Sequence, residues 1–220
     1  MTKKFNSLVV FTAVILALAY AVSAAPYGAN VTAGVQERRA DSSADTVVTE
    51  GGNITEVNVS GNQITSKWAG FFGVISGGIE LADASNNKFY EWTVSDVTNA
   101  VVFASEDTVS DWGSVAAGDT ANMPANVKTA AADNYTNTFN ETGAFNSSTL
   151  NVGSVPYAKT WQSGTQGTLK TYYLLDGSDI ICAGLADDGA TGFNGDTVDY
   201  QILIPGMGVK STWYFYMELP

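Results

Sequence analysis

Oxygen-bearing side chains gathered between glycines in the last third of the chain have the residue types best suited to binding a metal ion. The candidate ligands are Asp187, Asp188, Asn194, Asp196 and Asp199, interleaved with Gly189, Gly192 and Gly195. Carboxylate and amide oxygens on a bent loop are what calcium prefers. Their spacing does not follow the EF-hand pattern, and solvated turns share this composition. The loop therefore predicts either a calcium site, the one cofactor that the sequence suggests, or a plain polar turn.

Catalytic groups other than carboxylates are scarce. The chain contains no histidine, which removes the commonest general base, the Ser-His and Cys-His nucleophiles and the usual zinc and copper ligands. Its single cysteine, Cys182, lies in an apolar run, where a small buried side chain is expected. Two facing carboxylates would suffice for a glycoside hydrolase, but the sequence singles out no pair. We therefore predict that the protein is not an enzyme.

Tryptophans could form a stacking platform for sugar rings. Trp68, Trp92 and Trp213 lie at alternating strand positions beside other apolar residues, so we expect them in the core. Trp112 and Trp161 lie next to Asp, Gly, Gln and Ser. These two are the sequence's candidates for an exposed carbohydrate-binding surface.

The first 25 residues have the pattern of a secretory signal peptide. Lys3 and Lys4 precede an uncharged run from Leu8 to Val22, and small residues before Pro26 offer a cleavage site. The run is shorter than the roughly 20 residues that cross a bilayer. We expect a signal helix that is removed, no membrane span afterwards, and an extracellular or cell-surface location. A retained anchor is the alternative.

The surface is predicted to be acidic and sugar-coated. The chain has 22 acidic and 10 basic residues, a net charge of −12, which would repel nucleic acid and anionic lipid. Charged residues are nevertheless only 15% of the chain, so small polar residues must cover much of the surface. N-glycosylation sequons occur at Asn30, Asn53, Asn58, Asn134, Asn140 and Asn146.

Apolar residues with a period of two dominate the rest of the chain, which is typical of half-buried strands. From residue 27 to 36 the apolar positions are Tyr27, Ala29, Val31, Ala33 and Val35. This predicts an N-terminal strand followed by a polar tether, together residues 26–45. Val57 and Val59 share a face in a further predicted strand at 54–60.

The remaining residues, 46–220, are predicted to form a single domain. Alternation continues at 68–74, 79–81, 90–94, 169–175, 200–204 and 213–219, with apolar runs at 101–104 and 179–185. Helical spacing occurs only at 123–137. Many short strands with one short helix predict an all-β fold, an antiparallel β-sandwich of the immunoglobulin-like or jelly-roll-like kind.

The segments KWAGFFG, FYEW, NGDTVDYQILIP and WYFYMEL, in an exported chain, are similar to secreted archaeal cell-surface proteins. The layout resembles that of bundling pilins and biofilm-matrix fibre proteins. In these secretory β-sandwiches a freed N-terminal strand completes the sheet of a neighbouring subunit. The resemblance implies a structural protein that associates with itself into a homopolymer.

Two functions follow as hypotheses. In the first, the protein is a glycosylated filament or pilus subunit that donates the strand Tyr27 to Gln36 to the next copy, forming main-chain hydrogen bonds and filling a groove. The same segment could instead be the first strand of its own sandwich. In the second, the protein is a monomeric carbohydrate-binding or adhesive module that presents Trp112 and Trp161.

Overall fold

The computed structural model describes residues 26–118, 123–138, 150–152, 155–157, 160–162, 169–206 and 212–220. The predicted signal peptide and the sequons at Asn140 and Asn146 lie outside these residues. Two one-turn helices are present, α1 (Ala125–Lys128) and α2 (Tyr135–Thr138), and a 3₁₀ turn covers Trp112–Ser114. No helix of the described residues is long and apolar enough to cross a membrane.

The strands carry the architecture. In chain order they are β1 (Tyr27–Gly28), β2 (Trp68–Gly73), β3 (Gly78–Ala82), β4 (Lys88–Thr93), β5 (Val101–Ser105), β6 (Ala116–Ala117), β7 (Leu150–Val152), β8 (Val155–Tyr157), β9 (Thr160–Gln162), β10 (Lys170–Asp176), β11 (Asp179–Leu185), β12 (Ala190–Thr191), β13 (Thr197–Val198), β14 (Tyr200–Pro205) and β15 (Tyr214–Glu218). The main sheet has seven strands in the order β1-β15-β5-β11-β10-β6, with β9 also paired to β10. Separate two-stranded pairs join β2 with β14, β3 with β4, β7 with β8 and β12 with β13. All pairings are antiparallel.

The centre of the main sheet is apolar on both faces. In β11 every residue from Ile180 to Gly184 is buried, and β5 is buried throughout. A strand covered on both sides needs apolar residues at consecutive positions, which explains the runs at 101–104 and 179–185. The β10–β11 hairpin turns at Gly177, whose φ of 62° is readily adopted only by glycine.

A second layer, formed by β2 and β14, packs on one face of the main sheet. Close approach is possible because β11 has a glycine at the crossing: a Cβ on Gly184 would lie 2.7 Å from Cγ1 of Ile202 and 3.2 Å from the Gln201 carbonyl oxygen. The core between the layers combines β5, β10, β11 and β14 with α1 and α2. Its buried members are Val102, Ala104, Met123, Val127, Tyr135, Tyr173, Leu175, Ile180, Cys182, Ile202 and Ile204.

The all-β prediction is confirmed, and the immunoglobulin-like or jelly-roll-like type stays a prediction. Trp68 and Trp213 pack against the core, as expected. Trp92 does not, since 49% of it is exposed. The prediction for Trp92 was wrong because its strand, β4, pairs with β3 outside the two layers.

The single helix predicted for residues 123–137 is also wrong. Residues 129–134 separate α1 from α2, and Thr129 has an extended backbone with ψ of 145°. Tertiary contacts hold this segment out of a helix. The Asp133 carbonyl accepts a hydrogen bond from Nε1 of Trp68 at 2.7 Å, and the Asp133 carboxylate pairs with Nζ of Lys67 at 3.0 Å.

Candidate assembly site

Residues 29–67 connect β1 to β2 as an almost entirely exposed segment without helix or strand, which we call the arm. Its apolar side chains face solvent: Val31 is 59% exposed, Val35 86% and Val59 88%. The half-buried strand predicted for 27–36 was therefore wrong beyond Gly28. The pairing ends with the hydrogen bond that Ala29 N–H donates to Phe215 O at 3.0 Å, one residue from Tyr214, where β15 begins.

The arm contains a loop closed by a few hydrogen bonds. Ser42 N–H donates to Asn62 O at 3.3 Å, and Ile64 N–H donates to Oδ1 of Asp41 at 2.7 Å. The loop turns at Gly51-Gly52, and Gly52 has a φ of 92°. Residues 54–60 are exposed and form no strand, contrary to the prediction, and no strand in the described part of the chain pairs with them.

The arm leaves the body at the edge of β15. Tyr27 lies opposite Met217 and Gly28 opposite Tyr216. Since alternate residues of a strand share a face, Tyr27 and Ala29 lie on the same face of the sheet as Met217 and Phe215. Phe215 packs against the core between the layers, and its ring lies 5.0 Å from that of Phe71 in β2. The apolar side of the N-terminal segment is therefore in phase with the inner face of the main sheet.

The β3–β4 hairpin is a second exposed apolar feature. Cross-strand pairs Ile79–Trp92 and Leu81–Tyr90 place four apolar side chains on one face, and each is about half exposed. The rings of Tyr90 and Trp92 lie 4.7 Å apart at 51°. The sequence shows this alternation, and from it we expected Trp92 in the core. The pattern alone does not show whether an apolar face is covered by another element.

The opposite face of the hairpin is charged. Nζ of Lys88 pairs with the Glu80 carboxylate and lies 3.0 Å from Oε1 of Glu91. Hydrogen bonds to Glu80 and Glu91 raise the pKa of Lys88, and the bond to Lys88 lowers the pKa of Glu91. These ion pairs make this face of the hairpin polar. Because they are exposed, they contribute little to stability.

Trp112 does not form an exposed platform. Its ring lies 4.8 Å from that of Phe103 and 5.2 Å from that of Tyr216, in the apolar cluster on the outer face of the main sheet. The Tyr216 hydroxyl accepts a hydrogen bond from Val109 N–H at 3.0 Å and ties the loop before Trp112 to β15. The Trp161 side chain lies outside the described part of the structure.

The acidic loop is organised by hydrogen bonds between protein groups. Asp199 is 6% exposed, and its carboxylate accepts from Ile75 N–H at 2.7 Å and from Gly189 N–H at 3.0 Å. Asn194 Nδ2 donates to Oδ2 of Asp196 at 2.6 Å, and Asp187 N–H donates to Asp199 O at 2.9 Å. Among the described residues no three His, Cys, Asp or Glu side chains form a metal-binding group. A calcium site built from Asp187, Asp188, Asn194, Asp196 and Asp199 stays a prediction.

Three of the predicted glycosylation sites lie on the arm. Asn30, Asn53 and Asn58 are exposed, as an attached glycan requires. Asn134 is partly buried, and its Oδ1 accepts a hydrogen bond from Asn137 N–H at 2.8 Å at the start of α2. Occupancy of these sites stays a prediction.

Cys182 lies in the core between the layers, and burial raises the pKa of its thiol far above the ordinary range. A nucleophilic cysteine needs the opposite shift. The thiol is therefore a packing group, as its apolar sequence context predicts.

Comparisons with protein families, curated proteins and solved structures find no match to this chain.

Proposed function

We propose that the protein is a secreted, glycosylated structural protein of the cell surface, of the kind its sequence resembles in archaea. Copies associate into a filament or pilus, and the N-terminal segment from Tyr27 to Gln36 of one copy is donated to the next. The supporting observation is the arm: an extended, exposed segment with alternating apolar side chains, tied to the sheet by three residues.

Exposed apolar area makes self-association favourable. Removing such area from water is worth about 25 cal/mol per Å², and large apolar patches on soluble proteins mark interaction surfaces. Most large exposed hydrophobic residues in the described ranges belong to the arm and the hairpin. Because the donated segment and its receiving surface differ, donation to successive copies is a head-to-tail contact, which generates an open polymer when the rotation between copies does not close a ring. This proposal assigns the protein no catalytic role.

Deleting residues 27–36 tests the proposal. We expect a folded monomer by light scattering and circular dichroism, with no fibres in negative-stain electron microscopy, whereas the mature wild-type chain forms fibres. A matched control replaces residues 43–61, beyond the Ser42–Asn62 hydrogen bond, with a Gly-Ser linker of equal length. The control should still assemble. Fibres from the deletion variant, or its failure to fold, would contradict donation.

A monomeric carbohydrate-binding or adhesive module is the second candidate. The observation that favours it is the half-exposed pair Tyr90–Trp92, whose tilted rings present a stacking surface on the apolar face of the hairpin. Replacing both with alanine should abolish binding to the glycans that the wild-type protein retains on an array. Phe89→Ala, which removes an aromatic ring from the bulge of the same strand, is the control. Unchanged binding by the double variant would dismiss this function.

A further inference from the structure

We infer that the donated segment occupies the β15 edge of the next copy, in the register that β1 already uses within its own chain. Assembly then exchanges β1 between copies: Tyr27 of one copy lies opposite Met217 of the next, and Gly28 opposite Tyr216. This inference rests on the proposed homopolymer, and it adds the receiving strand and the register.

The faces of the two strands agree in this register. Continuing the register of Tyr27 and Gly28 by three residues places Val31 opposite Trp213. Tyr27, Ala29 and Val31 then share a face with Met217, Phe215 and Trp213, the inner side of the main sheet. A shift by one residue would turn the apolar side of the segment to the opposite face. The alternation found in the sequence is therefore the one that this edge requires.

Release of β1 from its own chain costs little because the pairing is short. Only Tyr27, Gly28 and Ala29 contact the edge through main-chain hydrogen bonds. The bonds lost within one chain form again between two, so exchange conserves them. Pairing between copies can also extend to Asn30 and Val31, and Val31 is 59% exposed in the single chain.

Within a single chain, the path of the arm limits how far the pairing of β1 with β15 can extend. Asp41 is held beside Ile64 by a 2.7 Å hydrogen bond, and Thr65 donates to Oδ2 of Asp133 at 2.7 Å. Residues 30–40 must therefore return from the β15 edge to this anchor on the same body. Between copies, residues 32–40 instead bridge from the anchor to a neighbouring edge, over at most about 30 Å at roughly 3.3 Å per residue.

Two positive charges lie in the segment that would bridge the copies. The bridging residues contain Arg38 and Arg39, the only arginines of the chain. Both are exposed, and neither forms an ion pair within the described residues. The chain as a whole has a net charge of −12. Acidic side chains on a neighbouring copy would attract this basic pair, whereas the net charges of the two copies repel each other.

Disulfide trapping tests the exchange. Residues opposite each other in a hydrogen-bonded antiparallel pair have Cα atoms about 5.5 Å apart, within the range that a disulfide spans. Full-length mature Tyr27→Cys and Met217→Cys chains, with different tags, are mixed before assembly and oxidised afterwards. We expect a covalent heterodimer on a non-reducing denaturing gel. Native Cys182 is buried and should not react. Ser43→Cys, an exposed arm residue, replaces Tyr27→Cys in the control and should give no such product.

The double variant Tyr27→Cys/Met217→Cys distinguishes pairing of β1 within one chain from exchange of β1 between copies. When this variant is oxidised as a monomer, it should form an intrachain disulfide and no longer form fibres. Reduction of the disulfide should restore fibre formation. Oxidised after assembly, it should yield a ladder of linked chains. If fibres form but disulfides stay within single chains, or if the mixed variants give no heterodimer, exchange at β15 is overturned while homopolymerisation stands. If the wild-type chain forms no fibres, the proposed function and this inference both fail.

Discussion

Replacing Asp199 with alanine should remove two hydrogen bonds that join the segment after β2 to the loop after β11. The carboxylate bonds Ile75 N–H at 2.7 Å and Gly189 N–H at 3.0 Å, and the residue is 6% exposed. Hydrogen bonds to a charged group contribute roughly 1.5 to 3 kcal/mol each, and water entering the site would offset part of the loss. We expect the free energy of unfolding to fall by about 3 kcal/mol. In a chain of this size that lowers Tm by roughly 6 to 12 °C.

Urea and thermal unfolding of matched variants measure the effect. Asp199→Asn keeps one acceptor oxygen and should lose about half as much stability. Asp188→Ala removes an exposed acid of the same loop and should change stability by less than about 0.5 kcal/mol. Equal effects of Asp199→Ala and Asp188→Ala would refute the argument. So would a loss seen only when calcium is present, because Asp199 would then act as a ligand.

Three further predictions concern the core and one ion pair. Gly184→Ala should lower the free energy of unfolding by about 1 to 3 kcal/mol, because its Cβ would meet Ile202 at 2.7 Å, whereas Gly61→Ala, in open space, should be nearly neutral in urea unfolding. The Cys182 thiol should react with a maleimide only when the protein unfolds; reaction of the native protein at the unfolded rate would contradict its burial. Hydrogen bonds from Thr65 and Lys67 lower the pKa of Asp133, so its contribution to stability is present above the unfolded pKa and is lost as pH falls through the lower, folded one. Asp133→Asn should therefore reduce the acid dependence of the urea midpoint, and an unchanged dependence would argue against this.

Sequence patterns predicted strands well where the chain supplies its own partner. The alternation at 169–175, 200–204 and 213–219 corresponds to β10, β14 and β15, although β10 is buried on both faces and not half-buried. The continuous run at 179–185 identified a strand buried on both faces, because only consecutive apolar residues suit such a position. These patterns depend on the local periodicity of the backbone, which a sequence displays directly.

The sequence patterns do not show whether a strand has a neighbouring strand or layer to pack against. Residues 27–36 and 54–60 alternate as clearly as β15, yet they are exposed apart from the short pairing of β1. The same limit applies to Trp92, which lies on a regular strand whose apolar face is uncovered. The helix prediction at 123–137 failed for a related reason: contacts of Asp133 with Lys67 and Trp68 join residues distant in sequence. Spacing along the chain carries no information about such contacts.

The exposed arm also decides how the chain would be degraded. A protease binds its substrate as an extended strand, and exposed loop tips without pairing are the preferred sites of cleavage. The Gly51-Gly52 turn is such an exposed tip, whereas β5 and β11 are buried. Limited digestion would cut there first. It would separate Pro26 to Gly51, which contains β1, from a resistant body that keeps the remaining strands. Sugars on Asn53 and Asn58, immediately beyond the tip, would shield this bond.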